Sequence, residues 1–248
     1  MAFQDHFSQA SKYYASARPL YPHGLFDWIA GVAPGTALAW EAGCGSGQAS
    51  RDLATRFAYV HASDPSAAQI AQAPALDNVD FVIEPGERCT LADASVDVVC
   101  VAQALHWFDR ASFFAECERV LRPGGVLVAW GYQDIAVPPE VRGSVDRFLE
   151  DIACDWPSQR ADIDAAYAGY AWPFPRLEVP SFTMGAEWPL ARLLAYFASF
   201  SATKRHRERT GRDPVAEHAE AIARAWGDPQ RARPLSWPLF AHACRKPA

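Results

Sequence analysis

In the stretch WEAGCGSGQAS, residues 40–50, Gly43, Gly45 and Gly47 alternate with small residues, and Glu41 stands two places before the first of them. Glycines in a strand-to-helix turn let the backbone come close to a ligand, and a helix start behind the turn offers unpaired N–H groups. A dinucleotide fold would show G-x-G-x-x-G around its pyrophosphate. Here the spacing is G-x-G-x-G. A carboxylate at Glu41 would repel a pyrophosphate and attract a cation. The combination asks for a nucleoside that carries positive charge and no phosphate.

S-adenosylmethionine, with its sulfonium and ammonium groups, is such a nucleoside. Further candidate residues stand at the following strand ends. Asp64, followed by Pro65, closes the second strand where an acid can accept both ribose hydroxyls, a placement that suits NAD equally. Gly86 and Glu87 follow the third strand, placed for an adenine edge. The fourth is followed by AQALHWFD, residues 102–109. His106 can orient or deprotonate a nucleophile, because imidazole titrates near neutral pH. It can equally be a packed structural histidine, with Trp107 and Phe108 flooring the ligand pocket. Tyr13, Tyr14, Arg18 and Tyr21 form a second cluster, read either as an amphipathic helix or as a segment folding over the ligand. The run KRHRERTGR, residues 204–212, suits a solvated helix end more than an anion site.

These residues need a scaffold, and the first half of the chain supplies its rhythm. Apolar runs at 36–42, 58–64, 79–85, 95–103 and 126–132 read as strands, with helical spacing between them. DRASFFAECERVLRPGG reads as a helix closed by Pro123-Gly124-Gly125. Strand and helix in alternation predict a parallel sheet covered on both faces. After residue 134 prolines and aromatics gather around one helix, 141–153. A strand (176–184), two helices (189–202 and 214–227) and a closing strand (233–246) follow. No repeat or low-complexity linker divides the chain, so one domain over 1–248 is expected, with a cap built from residues 1–30 and 134–175.

Half of the 248 residues are apolar and the net charge is −6, which argues against a general nucleic-acid binder. The six cysteines show no CxxC pair or metal-ligand spacing, and they read as small core residues in a reducing compartment. No metal is called for. The N-terminus lacks an apolar signal core and no segment approaches membrane-spanning length, so a cytoplasmic protein is expected.

The stretches YYASARPLYP, WEAGCGSGQAS, HASDPS, EPGERCTLADASVDVV, AQALHWFD and CERVLRPGGVLVAW together resemble the class I S-adenosylmethionine-dependent methyltransferases. Within them the chain is similar to the small-molecule branch of trans-aconitate and cantharidin-type enzymes. The resemblance implies a Rossmann-like α/β fold: a seven-stranded, mostly parallel sheet with an antiparallel last strand and a helical cap. It implies that Glu41, Gly43, Gly45 and Gly47 hold the methionine part and Asp64 the ribose. Gly86 and Glu87 would border the adenine, Gln103 would lie under the methionine end, and Tyr14 and Arg18 would close over it. Tyr21, His106, Trp107 and Tyr132 are expected at the acceptor. Two departures stand out: Pro85 occupies a position where many relatives carry an acid, and Trp40 is bulkier than the usual strand residue. The sequence after the fourth strand is not Asn/Asp-Pro-Pro-aromatic, which disfavours methylation of DNA adenine or glutamine. The expected reaction is methyl transfer to a small molecule. The alternatives are an NAD(P)-dependent oxidoreductase and a non-catalytic cofactor-binding protein.

Overall fold

The apolar runs of the first half become five strands: β1 (Leu38–Ala42), β2 (Tyr59–Ser63), β3 (Val79–Val82), β4 (Val96–Ala102) and β5 (Leu121–Tyr132). They pair in parallel in the order β3-β2-β1-β4-β5. The computed structural model describes residues 18–248. Strand order reverses between β1 and β4, so the carboxyl ends of these two strands flank the switch point where ligands of such sheets bind. Both faces are covered. Ala39, Val98, Cys100, Val128 and Trp130 share one core with Leu25, Phe26 and Ile29 of α1 (His23–Val32) and Leu53 of α2 (Ser50–Ala54). Trp40, Val99, Val101, Leu127 and Ala129 point the other way, to Phe113, Cys117 and Val120 of α4 (Arg110–Val120). A short α3 (Ala67–Ile70) follows β2.

The second half closes the sheet. β8 (Arg233–Arg245) runs antiparallel to β5, from Val126↔Arg245 to Tyr132↔Leu239. β6 (Arg176–Leu177) and β7 (Thr183–Trp188) pair with different halves of β8. Ser236 lies between Gly185 and Ala136, and Ala243 between Leu177 and Val128, so β6 and β7 fill one edge in two pieces. Eight strands thus occupy the seven positions expected. The remaining helices are α5 (Pro139–Asp151), α6 (Arg160–Asp164), α7 (Leu190–Ala198), α8 (Ser201–Thr210) and α9 (Pro214–Trp226). α9 packs on α5 and α7, and Phe148 stacks on Phe197 at 4.6 Å.

Several boundaries differ from the sequence expectation for physical reasons. Pro123 cannot continue a helix, so α4 stops at Val120 and β5 starts at Leu121, before the glycines. The expected 176–184 strand is interrupted around Pro180, which has no N–H for a ladder. The helix expected through residue 202 breaks at Phe200, whose ψ is 138°, and Ser199 Oγ donates back to Tyr196 O at 2.6 Å. α1 and α6 were not anticipated. Trp40 finds a purpose: its indole N–H donates to Ser63 Oγ at 2.9 Å, tying the end of β1 to that of β2.

Candidate active site

Two neighbourhoods form at the carboxyl ends of the strands. The first is the glycine turn. Gly43, Gly45 and Gly47 have φ of 70°, 56° and 77°, the left-handed region that side chains resist. At Gly43 space forbids a side chain as well, because a Cβ would come within 2.7 Å of Ala104 Cβ and 3.0 Å of the Phe108 ring. The turn folds back on the end of β2: the N–H groups of Gly43 and Cys44 donate to Ser63 O. Gly45 N donates to Asp64 Oδ2 and Ser66 N to Asp64 Oδ1, both at 2.9 Å, so the carboxylate sits against the turn with Pro65 at its back.

Glu41 lies beneath the turn, 1% exposed, between Ala62 and Cys100 in the sheet. The Ser50 hydroxyl donates to its Oε2. Burial pushes its carboxyl up to about 8; the Ser50 bond opposes this and nearby Asp64 adds to it. Gln69 Oε1 is buried beside the turn with no hydrogen-bond partner among the described residues. Cradle, acid pair and orphaned acceptor all fit a cationic nucleoside rich in donors. Gly86 meets the same neighbourhood from β3, its Cβ position 2.8 Å from the Phe108 ring. Glu87 accepts from Asp109 N through Oε1 at 2.8 Å. The acid next to Pro85 on its other side, Glu84, pairs with His61 Nε2 at 2.9 Å.

The second neighbourhood is a cavity of about 80 Å³. Gln103 borders it in a left-handed conformation, φ 55°, which costs a non-glycine residue roughly 1–2 kcal/mol. Its amide compensates by bonding both backbone polar groups of Tyr132: Oε1 accepts from Tyr132 N at 2.8 Å and Nε2 donates to Tyr132 O at 3.2 Å. A side chain thereby extends the β4–β5 ladder past the end of β4. Arg18 Nη1 donates to the Tyr132 hydroxyl at 3.1 Å and lies over the rings of Tyr196 and Phe200. His106 and Trp107 form the wall below. Tyr21 packs behind Tyr132, edge-on to Trp130, and does not line the cavity. Tyr14 lies outside the described residues.

His106 Nδ1 is 3.1 Å from the Tyr167 hydroxyl. A Tyr167 hydroxyl donating to Nδ1 leaves the imidazole proton on Nε2. Burial, and then the Arg160 guanidinium, hold the imidazole down to about 3. It is neutral at working pH and a poor base. Sequence reasoning missed Arg160, Trp156, Tyr196 and Phe200, all of which line the cavity. α6 is too short to show a period; the one available signal was the aromatic and proline-rich character of its segment.

Among the described residues no group of three or more His, Cys, Asp or Glu is placed to hold a metal ion. No helix there is long and apolar enough to cross a membrane.

Residues 40–129 match the methyltransferase domain family. A candidate methyltransferase of Dictyostelium discoideum is 30% identical over 229 residues, covering 90% of this chain and 87% of that protein. An uncharacterized methyltransferase of Mycobacterium bovis is 37% identical over 130 residues, 52% of this chain and 53% of its own length. The solved structure of a candidate type II methyltransferase from Anaeromyxobacter dehalogenans is 45% identical with a TM-score of 0.86, covering 93% of this chain and 99% of that one. The chain belongs to the class I S-adenosylmethionine-dependent methyltransferases. Its cofactor is S-adenosylmethionine.

Proposed function

We propose that this methyltransferase acts on a small polar or carboxylate-bearing metabolite, as the trans-aconitate-like branch does. The observation that carries the reading is the cavity beside the glycine turn. Five aromatic residues line it (Trp107, Tyr132, Trp156, Tyr196 and Phe200), and so do two guanidiniums, Arg18 and Arg160. A concave, ring-walled pocket of this size suits a small guest better than a polymer. The basic run at residues 204–212, where a polymeric polyanion would have to bind, is compensated by acidic partners. Lys204 pairs with Glu208, Arg207 with Asp213, Arg209 with Asp155 and Arg212 with Glu217. All six cysteines are free thiols, which suits the cytoplasm.

In this reading Glu41, the three glycines and Gln103 hold the methionine part, with Arg18 and Tyr14 closing over it. Asp64 with Pro65 takes the ribose, and Gly86 borders the adenine with Glu87. S-adenosylmethionine supplies an electrophilic methyl on a sulfonium sulfur. The residues around it align the acceptor and exclude water. Tyr132 and Trp107 form the dry wall. Neutral His106 orients the acceptor through Nε2–H rather than deprotonating it. A carboxylate acceptor arrives ionised, so no proton has to move. Residues 134–175 of a single domain supply the cap, whereas residues 23–30 belong to α1 and cover the sheet; the rest of the expected N-terminal cap, residues 1–17, lies outside the described residues.

Calorimetry with S-adenosylmethionine, S-adenosylhomocysteine and NAD tests the cofactor half. Both sulfur nucleosides should bind, and NAD should not. Asp64→Ala should weaken both by similar factors, because the ribose is common to them. A variant with native affinity for both but a large loss of turnover would contradict the placement of Asp64.

A further inference from the structure

Arg160 opens α6 against the cavity. Its Nη2 lies 2.7 Å from Asp134 Oδ1 and its Nε 2.7 Å from Asp164 Oδ1. Its guanidinium carbon stands 4.5 Å from the centre of the Trp156 ring. Three supports therefore fix the plane of the fork. Nη1 makes no hydrogen bond with any described residue. A guanidinium serving only to tie α6 down could do so with its donors turned to water, yet this side chain is 18% exposed and lines the chamber.

We propose that Arg160 determines acceptor specificity, its Nη1 donating to an anionic oxygen of the acceptor. The inference rests on the small-molecule reading above and goes beyond it by naming the residue that selects and the charge it selects for. A guanidinium held in one plane loses little entropy when its remaining nitrogen binds an anion, and it stays charged at any working pH. The local charge agrees. The charged residues lining the cavity are Arg18, Arg160 and Asp134, a net of one positive charge among the described residues. Asp134 and Asp164, which offset Arg160, are 53% and 57% exposed, so water screens them more than it screens the chamber side. His106, next to Arg160, adds a neutral donor and no competing charge.

The test uses the full chain loaded with S-adenosylhomocysteine. Calorimetry is run with C3–C8 mono- and dicarboxylic acids, saturated and unsaturated, each beside its amide of matching shape. At least one acid is expected to bind ten times or more tightly than its amide. Arg160→Gln should bring that ratio close to one with unchanged affinity for S-adenosylhomocysteine. Asp164→Asn, which keeps the guanidinium and removes one of its two carboxylates, should preserve or raise the ratio. If Arg160→Gln does not fold, Arg160→Lys takes its place and should lower the ratio severalfold. The proposal is overturned if no acid is preferred by the native protein, or if the ratio survives loss of the guanidinium. It is equally overturned if Asp164→Asn loses the ratio as Arg160→Gln does, since that marks a structural role. Failure of the underlying reading shows separately, as no heat with S-adenosylhomocysteine, and takes this inference with it.

Discussion

Glu41 is a carboxyl group that folding protonates and a cationic ligand would ionise. In the unfolded chain it is ionised at neutral pH; in the ligand-free fold burial pushes it up to about 8. The folded state then holds the extra proton. This group's share of stability is complete below the ordinary carboxylate range and is lost as pH rises through about 8. Binding a sulfonium and an ammonium favours the opposite form, so a proton leaves as the cofactor enters. Between pH 6 and 8 affinity for S-adenosylmethionine should therefore rise, by up to about tenfold per pH unit. Glu41→Gln should bind more weakly at pH 8 by about 1.5–3 kcal/mol and show little pH dependence. Calorimetry at three pH values reads both effects, and equal slopes in the two proteins would remove Glu41 from the cofactor site. His106 carries the opposite lesson. Its type announced possible acid–base chemistry in the sequence, but its enclosure beside Arg160 depends on chain 54 residues away that no local spacing reveals.

Elements position these residues through a few buried polar ties. Asp97, fully buried at the start of β4, accepts from Ala37 N at 2.8 Å and Leu38 N at 2.9 Å and pairs with Arg122 Nη1 at 2.8 Å. It fixes the register of β1 against β4, and hence the switch point between them. Asp97→Ala would leave two amides and a guanidinium without their acceptor and should cost about 3 kcal/mol in denaturant unfolding. A loss under about 1 kcal/mol would mean that the sheet aligns these strands without it. The strands themselves were legible because buried parallel strands are near-continuous apolar runs, and the glycine turn because its residue types are forced by φ. The split edge of β6 and β7, the break at Phe200 and the early start of β5 were not legible. Each is settled by pairing or packing with distant chain.

At the scale of the molecule, one end of the sheet holds the glycine turn and the aromatic-lined cavity, joined by residues 103–109 after β4. Gln103 faces Tyr132 while Phe108 packs on Gly43 and Gly86, so this loop touches both halves of the site. The glycine turn could be read from sequence because its residues lie within one short segment at a strand end. The cavity is lined by Arg18, Tyr132, Arg160 and Tyr196 among others, scattered over nearly 180 positions, and only the fold brings them together. The central claim is methyl transfer to a small molecule, and label partition tests it most directly. The protein is incubated with methyl-labelled S-adenosylmethionine and a whole-cell extract, and acid-precipitable polymers are then separated from soluble metabolites. Enzyme-dependent label in the soluble metabolite fraction is the predicted result, and label confined to precipitated protein or nucleic acid would contradict it.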